Sequence, residues 1–356
     1  MPRLTIASVA TDHPMGAQVY EAEVSRRAES ALTSVAGSGW RVRQVAVRSL
    51  RARTPGNRRL PMGWASTASA TARRELGRLL YGGDTVSHRT NLELPPSPRA
   101  DVVTLHDVVA WKFPDESRPV RAAVEELRRA AAVICVSSFS AAEAVDVLGI
   151  DEPHVVHNGV DDRFFDPVPA APDVLARMGV DGGDYVLVTG GASERKNLEA
   201  LAAAWQQVSR SRPDLTLVVA GPEHPRRTAL FAGIPSARLV GRVEGSLLPG
   251  LIAAASALVV PSRYEGFGLP ALEGMAAGTP VVAADAGALP EVVGDGGLLV
   301  PPTPAGLTDG ILHAVSADPD VAAMALRGRL RAGTFTWEAS ARGHASVWSA
   351  VARDRA

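Results

Sequence analysis

The chain has 356 residues, with 37 Lys and Arg against 38 Asp and Glu, so its net charge of -1 excludes a global field for nucleic acid. Its composition, 46% hydrophobic and 21% charged, is that of a soluble globular protein, and its length favours two domains over one. A lone cysteine, Cys135, excludes an internal disulfide and reads as a buried structural thiol, and no apolar run approaches the roughly 20 residues that span a bilayer.

Leu4–Val9 reads as a strand with no signal-peptide pattern, which predicts a cytoplasmic protein. The loop 10–17 follows, with His13 and Gly16, then a helix over 18–35 and a strand over 42–47. Strand, loop, helix, strand opens a doubly wound sheet. Between Arg41 and Arg78 lie ten arginines and a single acid, Glu75. Residues 68–80 form an amphipathic helix carrying Arg73, Arg74 and Arg78. This region is either a solvated surface or a patch for an anionic acceptor or membrane headgroups. Short strands over 84–87 and 101–105 would end at His88-Arg-Thr-Asn91 and His106-Asp107. Both clusters then fall at strand carboxyl ends, where doubly wound sheets bind ligands. His13, His88, Asn91 and Asp107 are the acceptor-side candidates. A strand over 131–136 and a helix to about Leu148 follow, and Val155–Val160 closes the half.

Residues 161–183 are rich in Pro, Asp and Gly, and the linker is placed at 166–182. The pattern then restarts, so that 1–165 and 183–336 are two alternating α/β halves with a ligand cleft expected between them. After a strand over 185–189 comes Gly190-Gly-Ala-Ser-Glu-Arg-Lys-Asn197, which lacks Walker A spacing but presents Arg195 and Lys196 together. Arg binds phosphate as a fork and Lys as a point charge, and the pair suits a diphosphate. A strand over 256–261 precedes Ser262-Arg-Tyr-Glu-Gly-Phe-Gly-Leu-Pro-Ala-Leu-Glu273, and a helix starts at Pro270. A glycine loop entering a helix at a sheet's carboxyl edge is an anion site. Glu265 and Glu273 bracket it, and sugar hydroxyls are their natural partners. No metal-ligand spacing is present, so no metal is expected.

Glu265-Gly-Phe-Gly-Leu-Pro-Ala-Leu-Glu273 resembles the Glu-x7-Glu signature of retaining glycosyltransferases of family 4. Gly190–Leu198, Val155–Asp161, Gly278–Val282 and Gly287–Val293 are similar to that family's segments, and coverage is strong over 101–302. The resemblance implies a GT-B architecture, two Rossmann-like doubly wound domains facing across a cleft. The final helix, about 337–356, would cross back onto the first domain. A nucleoside-diphosphate sugar would be the co-substrate, without further cofactor. Arg195 and Lys196 would hold its diphosphate, with Gly16 and Gly191 nearby. Backbone at Gly266, Phe267, Gly268 and Leu269 would meet phosphate and sugar. Glu265 would bind sugar hydroxyls, Glu273 the ribose, Val243 the base, and His106 the donor sugar. His106, Arg195, Lys196 and Glu265 would be the catalytic set. Transfer would retain the anomeric configuration, with phosphate oxygen taking the acceptor's proton. The loop His106–Pro114 looks like that of mannosyltransferases, which points to GDP-mannose; the acceptor would be a hydroxyl of a glycan, lipid-linked or small molecule, which the sequence does not single out. A sugar-nucleotide epimerase of the same architecture, or a non-catalytic sugar-nucleotide-binding protein, is the alternative. An NAD-linked oxidoreductase fits less well, since the first strand lacks the glycine fingerprint.

Overall fold

The computed structural model describes residues 1–11, 16–180 and 183–354. The chain divides into one unit of Met1–Gly159 with Thr336–Ala356 and another of Val160–Phe335. The cuts therefore lie earlier than residues 165 and 336. Residues 166–180 of the expected linker belong to the second unit: Ala170 donates to the Gly250 carbonyl (2.8 Å), and Pro172–Arg177 is a helix there.

The first unit holds β1 (Arg3–Val9), β2 (Arg41–Ser49), β3 (Arg58–Leu60), β4 (Val86–Arg89), β5 (Asp101–Leu105), β6 (Ala132–Cys135) and β7 (His154–Val155). They form a parallel sheet in the order β3-β2-β1-β4-β5-β6-β7. Strands β4, β5 and β6 are buried at every position, which is why they read as unbroken runs without alternation. Cys135 is wholly buried on β6, and burial pushes its thiol up to about 12, as expected of a structural residue. The helix Gly16–Ala36 repeats Tyr20, Val24, Ala28 and Leu32 at four-residue spacing and buries that face. Trp337, Ala341, Ala345 and Trp348 of the helix Trp337–Arg353 join the same core.

The second unit holds β8 (Tyr185–Thr189), β9 (Thr216–Ala220), β10 (Ala237–Gly241), β11 (Ala257–Val260), β12 (Val281–Ala284) and β13 (Leu298–Val300), in the order β10-β9-β8-β11-β12-β13. Trp205 of the helix Leu198–Ser211 anchors its core against Val186, Val188, Leu217 and Val219. In each sheet the chain begins near the middle and reverses its direction of growth once. The reversal lies between β1 and β4 in one sheet and between β8 and β11 in the other. Loops leaving the carboxyl ends of such a strand pair diverge and leave a crevice.

The Arg-rich region is not one surface. Arg73 and Arg89 are both 0% exposed. Arg73 Nε donates to Glu126 (2.5 Å), and Arg89 donates to Glu126 (2.9 Å) and Asp101 (3.1 Å). The remaining Arg73 donors meet the carbonyls of Ala65, Leu92 and Leu94. Arg73 thus reads as surface only because a helical arginine on an apolar flank is usually solvated. Two guanidiniums and two carboxylates balance. Removing one acid strands buried charge, so Glu126→Ala should cost about 3–5 kcal/mol, measured by chemical denaturation. Arg78→Ala should stay within about 0.5 kcal/mol, because Arg78 meets Glu75 in solvent.

Candidate active site

The reversal between β8 and β11 brings both glycine motifs together. The loop after β8 ends in a short 3-10 turn, Glu194–Lys196, and Asn197 closes it with φ 55°. The loop after β11 runs to Gly268, which caps the helix Leu269–Ala277 with φ 104°. A Cβ there would come 2.7 Å from Leu289, so both conformation and space require glycine. The loops are tied by Arg263 N–H to the Arg195 carbonyl (2.8 Å) and by Asn197 Nδ2 to the Pro261 carbonyl (3.0 Å).

Glu265 stands between the two cations. Lys196 Nζ donates to Oε1 (2.6 Å) and Arg195 Nη1 to Oε2 (3.0 Å), while Arg195 also donates to the Tyr264 carbonyl (3.1 Å). Burial would raise this carboxyl, but Lys196 and Arg195 outweigh it and hold it at about 2. The sequence places two cations in one loop and a carboxylate in another. The structure makes them one ion triad, with both carboxylate oxygens engaged. Gly266, Phe267 and Gly268 are buried, and the Phe267 ring meets Phe335 edge-on at 5.9 Å. Gly191 lies in the loop after β8, and half-buried Val243 lies two residues past β10, at the same edge.

Glu273 lies on the helix that follows the glycine loop. The helix begins at Leu269, its first turn holds no acid, and Glu273 sits beyond it, half-buried. Burial pushes its carboxyl up to about 8, against a smaller downward pull from Arg163.

In the first unit, His106 follows β5. Its ring meets Tyr20 edge-on at 4.8 Å. One ring nitrogen bonds the Thr90 backbone, and Nε2 is buried with no partner among the described residues. The bonded nitrogen is therefore Nδ1, donating to a carbonyl, and Nε2 carries a bare lone pair. Burial brings this imidazole down to about 4, so it is neutral at pH 7. Sequence reasoning missed Glu21, which shares Thr90 with it. Thr90 Oγ1 donates to Glu21 (2.7 Å), and burial lifts that carboxyl to about 7. Its signal was adjacency to Tyr20 on the buried face of the helix.

Of the acceptor-side candidates, His88 does not lie at its expected place. His88 lies inside β4, 0% exposed, because the strand runs two residues further than the sequence suggests. Its Nε2 meets Thr104 (2.8 Å), Thr104 meets Tyr20 (2.6 Å), Tyr20 meets His344 Nε2 (2.7 Å), and His344 Nδ1 meets the Ser340 carbonyl (2.8 Å). That carbonyl can only accept, so every proton in the chain is directed: His88 to Thr104 to Tyr20 to His344. His88 is thus a core residue. Asp107 sits just past β5, as expected, and accepts from Val109 N–H (3.0 Å) where the short helix Val109–Lys112 begins. His13 lies outside the described residues. Asn91 does sit just past β4, half-buried, and accepts from Glu93 N–H (2.8 Å). Gly16 opens the first helix.

A cavity of about 630 Å³ lies at the opposite edge of the second sheet, lined by Ser256, Gly278, Pro280 and Ala325. Its lining is mainly aliphatic and holds none of the candidate site residues. Among the described residues no cluster of three His, Cys, Asp or Glu could hold a metal ion.

The raised Glu273 carboxyl gives a signed expectation. Its folded value, about 8, exceeds the unfolded 4.5. Stability is full below the unfolded value and falls as pH rises through the folded one. Glu273→Gln should therefore raise the melting temperature by several degrees at pH 8.5 and leave it unchanged at pH 4, read by calorimetry.

Residues 22–164 match Glycosyltransferase Family 4, and residues 183–317 match Glycosyl transferases group 1. The chain is 31% identical over 284 residues to an O-antigen chain mannosyltransferase B of Escherichia coli, covering 75% of this chain and 74% of that protein. It is 35% identical to an alpha-maltose-1-phosphate synthase of Mycolicibacterium smegmatis, covering 63% of this chain and 60% of that one. A sucrose-phosphate synthase structure from Thermosynechococcus elongatus superposes with a TM-score of 0.74 at 23% identity, covering 98% of this chain and 99% of that one, a likeness of fold alone. Two parallel Rossmann-like sheets, the paired matches and these relatives lead to one conclusion: the chain has the GT-B fold and belongs to glycosyltransferase family 4.

Proposed function

We propose that the protein transfers a hexose, with retention, from a nucleoside-diphosphate sugar to a hydroxyl of a glycan, lipid-linked or small-molecule acceptor. The observation that carries this reading is the Arg195–Glu265–Lys196 triad beside the Gly268-capped helix. Two cations and a helix N-terminus present converging positive potential to a diphosphate, and they stabilise it as it leaves. No step requires a metal ion. Glu265 orients the cations and accepts from sugar hydroxyls. Glu273 meets the ribose, and His106 offers its Nε2 lone pair to a substrate hydroxyl. The acceptor hydroxyl attacks on the face the diphosphate leaves, and a phosphate oxygen takes its proton.

The Escherichia coli relative and the loop His106–Pro114 favour GDP-mannose as donor. The Mycolicibacterium smegmatis relative is named for another product, so a donor panel is the direct test. At a hundredfold excess over Kd, binding adds about 2.7 kcal/mol. GDP-mannose should raise the melting temperature by several degrees, and Lys196→Ala should abolish the rise. A shift with another nucleotide sugar would replace the donor, and no shift with any would remove the reading. Sugar changed in configuration without acceptor would reveal an epimerase, and binding without turnover a sensor.

Glu265 is engaged at both oxygens, which argues against a nucleophilic role of the kind retaining glycosidases use. Glu265→Gln should lower turnover by roughly a hundredfold without trapping a glycosyl-enzyme; a covalent hexose on Glu265 in the mass spectrum of the wild-type protein would defeat this.

Peripheral contact with anionic membrane is part of the same reading. At the ends of β2 and β3, exposed Leu50 and Trp64 lie among exposed Arg51, Arg53, Arg58 and Arg59. Among the described residues no helix is long and apolar enough to cross a membrane. Vesicles containing phosphatidylglycerol should co-sediment the protein, and Arg58→Glu with Arg59→Glu should release it. Equal recovery with neutral vesicles would count against the contact.

A further inference from the structure

Arg227 lies on the helix Pro225–Phe231, which follows β9, and is 3% exposed. Its Nη1 donates to the Pro222 carbonyl (2.7 Å) and its Nη2 to the Gly190 carbonyl (2.5 Å). Its Nε is buried without a hydrogen-bond partner among the described residues. Among the described residues no carboxylate pairs with it; the neighbouring Arg226 takes Glu199 instead (2.6 Å). Burial alone presses on this guanidinium, with no acid to offset it. A guanidinium does not shed its proton under such pressure, so a charge is buried here without a counterion.

The space around it is built for that group. Gly221 has φ 148°, and a Cβ there would stand 1.9 Å from the Gly190 carbonyl and 2.8 Å from Arg227 Nη2. Glycine at 221 lets the guanidinium reach across to the loop after β8. The other side of Gly190 belongs to Lys196, whose Nζ lies 3.7 Å from where a Gly190 Cβ would be. Arg227, Lys196, Gly190, Gly191 and Ser262 line one narrow cleft. Arg195, Lys196 and Arg227 against Glu265 leave two positive charges uncompensated. A nucleoside diphosphate esterified to a sugar carries two negative ones.

We propose that Arg227 is a positioning residue for the diphosphate: it holds the Gly190 carbonyl away from the anion and supplies the buried positive charge that the anion neutralises. This rests on the diphosphate reading of the site. An arginine serving the fold alone would have its charge balanced, as Arg73 and Arg89 do.

The test uses the full chain, inorganic pyrophosphate and GDP as probes, and the variants Arg227→Met and Arg227→Gln, with calorimetric titration and melting curves. Arg227→Met should melt at or above the wild-type temperature without ligand, because it removes an unpaired buried charge. The same variant should bind pyrophosphate about tenfold more weakly or worse, with a reduced ligand-induced shift. Arg227→Gln keeps one donor for the Gly190 carbonyl; it should show the same weakening and decides the matter should the methionine variant fail to fold. Wild-type affinity for pyrophosphate in either folded variant overturns the inference alone. Failure of the wild type to bind pyrophosphate, GDP or any nucleotide sugar overturns the donor reading and this inference with it.

Discussion

Glu265 accepts from Lys196 at one oxygen and from Arg195 at the other, and this pairing joins the loop after β8 to the loop after β11. Each loop leaves the carboxyl end of a central strand and would diverge from the other, since the sheet reverses its growth between them. The ion triad closes the gap that topology opens. It does so with nearly buried groups, where Coulomb attraction is strong enough to outweigh the desolvation of the carboxylate. Two bonds beside it, Arg263 to Arg195 and Asn197 to Pro261, fix the backbone. A site assembled this way is rigid before any ligand arrives, which lowers the ordering cost of binding.

The first unit uses the same topology differently. Its reversal between β1 and β4 carries Thr90, and Thr90 holds two titratable groups: His106 through its carbonyl and Glu21 through its hydroxyl. Behind them runs the directed chain from His88 to His344, whose last acceptor lies on the C-terminal helix. The helix Trp337–Arg353 therefore belongs to this unit by a polar network as well as by the packing of Trp348. Tyr20 serves both, bonding His344 and standing edge-on to His106. A ring held at its hydroxyl and packed on its edge leaves His106 one orientation, with Nε2 unbonded.

Much of this was legible in the sequence. Apolar strands alternating with helices announce two doubly wound sheets, because strands covered on both faces must be continuously apolar. Gly190–Asn197 and Glu265–Glu273 mark the second site, because glycine, basic and acidic residues cluster there at strand ends. What is not legible there is set by burial. His88 and Arg73 look like surface chemistry, yet both are interior, since a short strand and a helix can each bury a polar side chain once a partner satisfies it. Arg227 looks like one of many arginines, and nothing local says that its two carbonyl partners come from different loops. Glu265 and Lys196 are separated by 69 positions, a pairing that periodicity cannot reveal.

The two units also settle their buried charges in opposite ways. In the first, Arg73 and Arg89 face Glu126 and Asp101, and that buried cluster sums to zero. In the second, Glu265 meets two cations while Arg227 waits behind Gly190 with carbonyls alone. A neutral interior stabilises the fold in every state. A positive one costs stability until an anion enters, and then it stabilises the complex more than the free protein. That difference is the free energy a binding site can use. On the diphosphate reading, its location, at one sheet edge and between two glycine loops, is where this chain would trade stability for recognition.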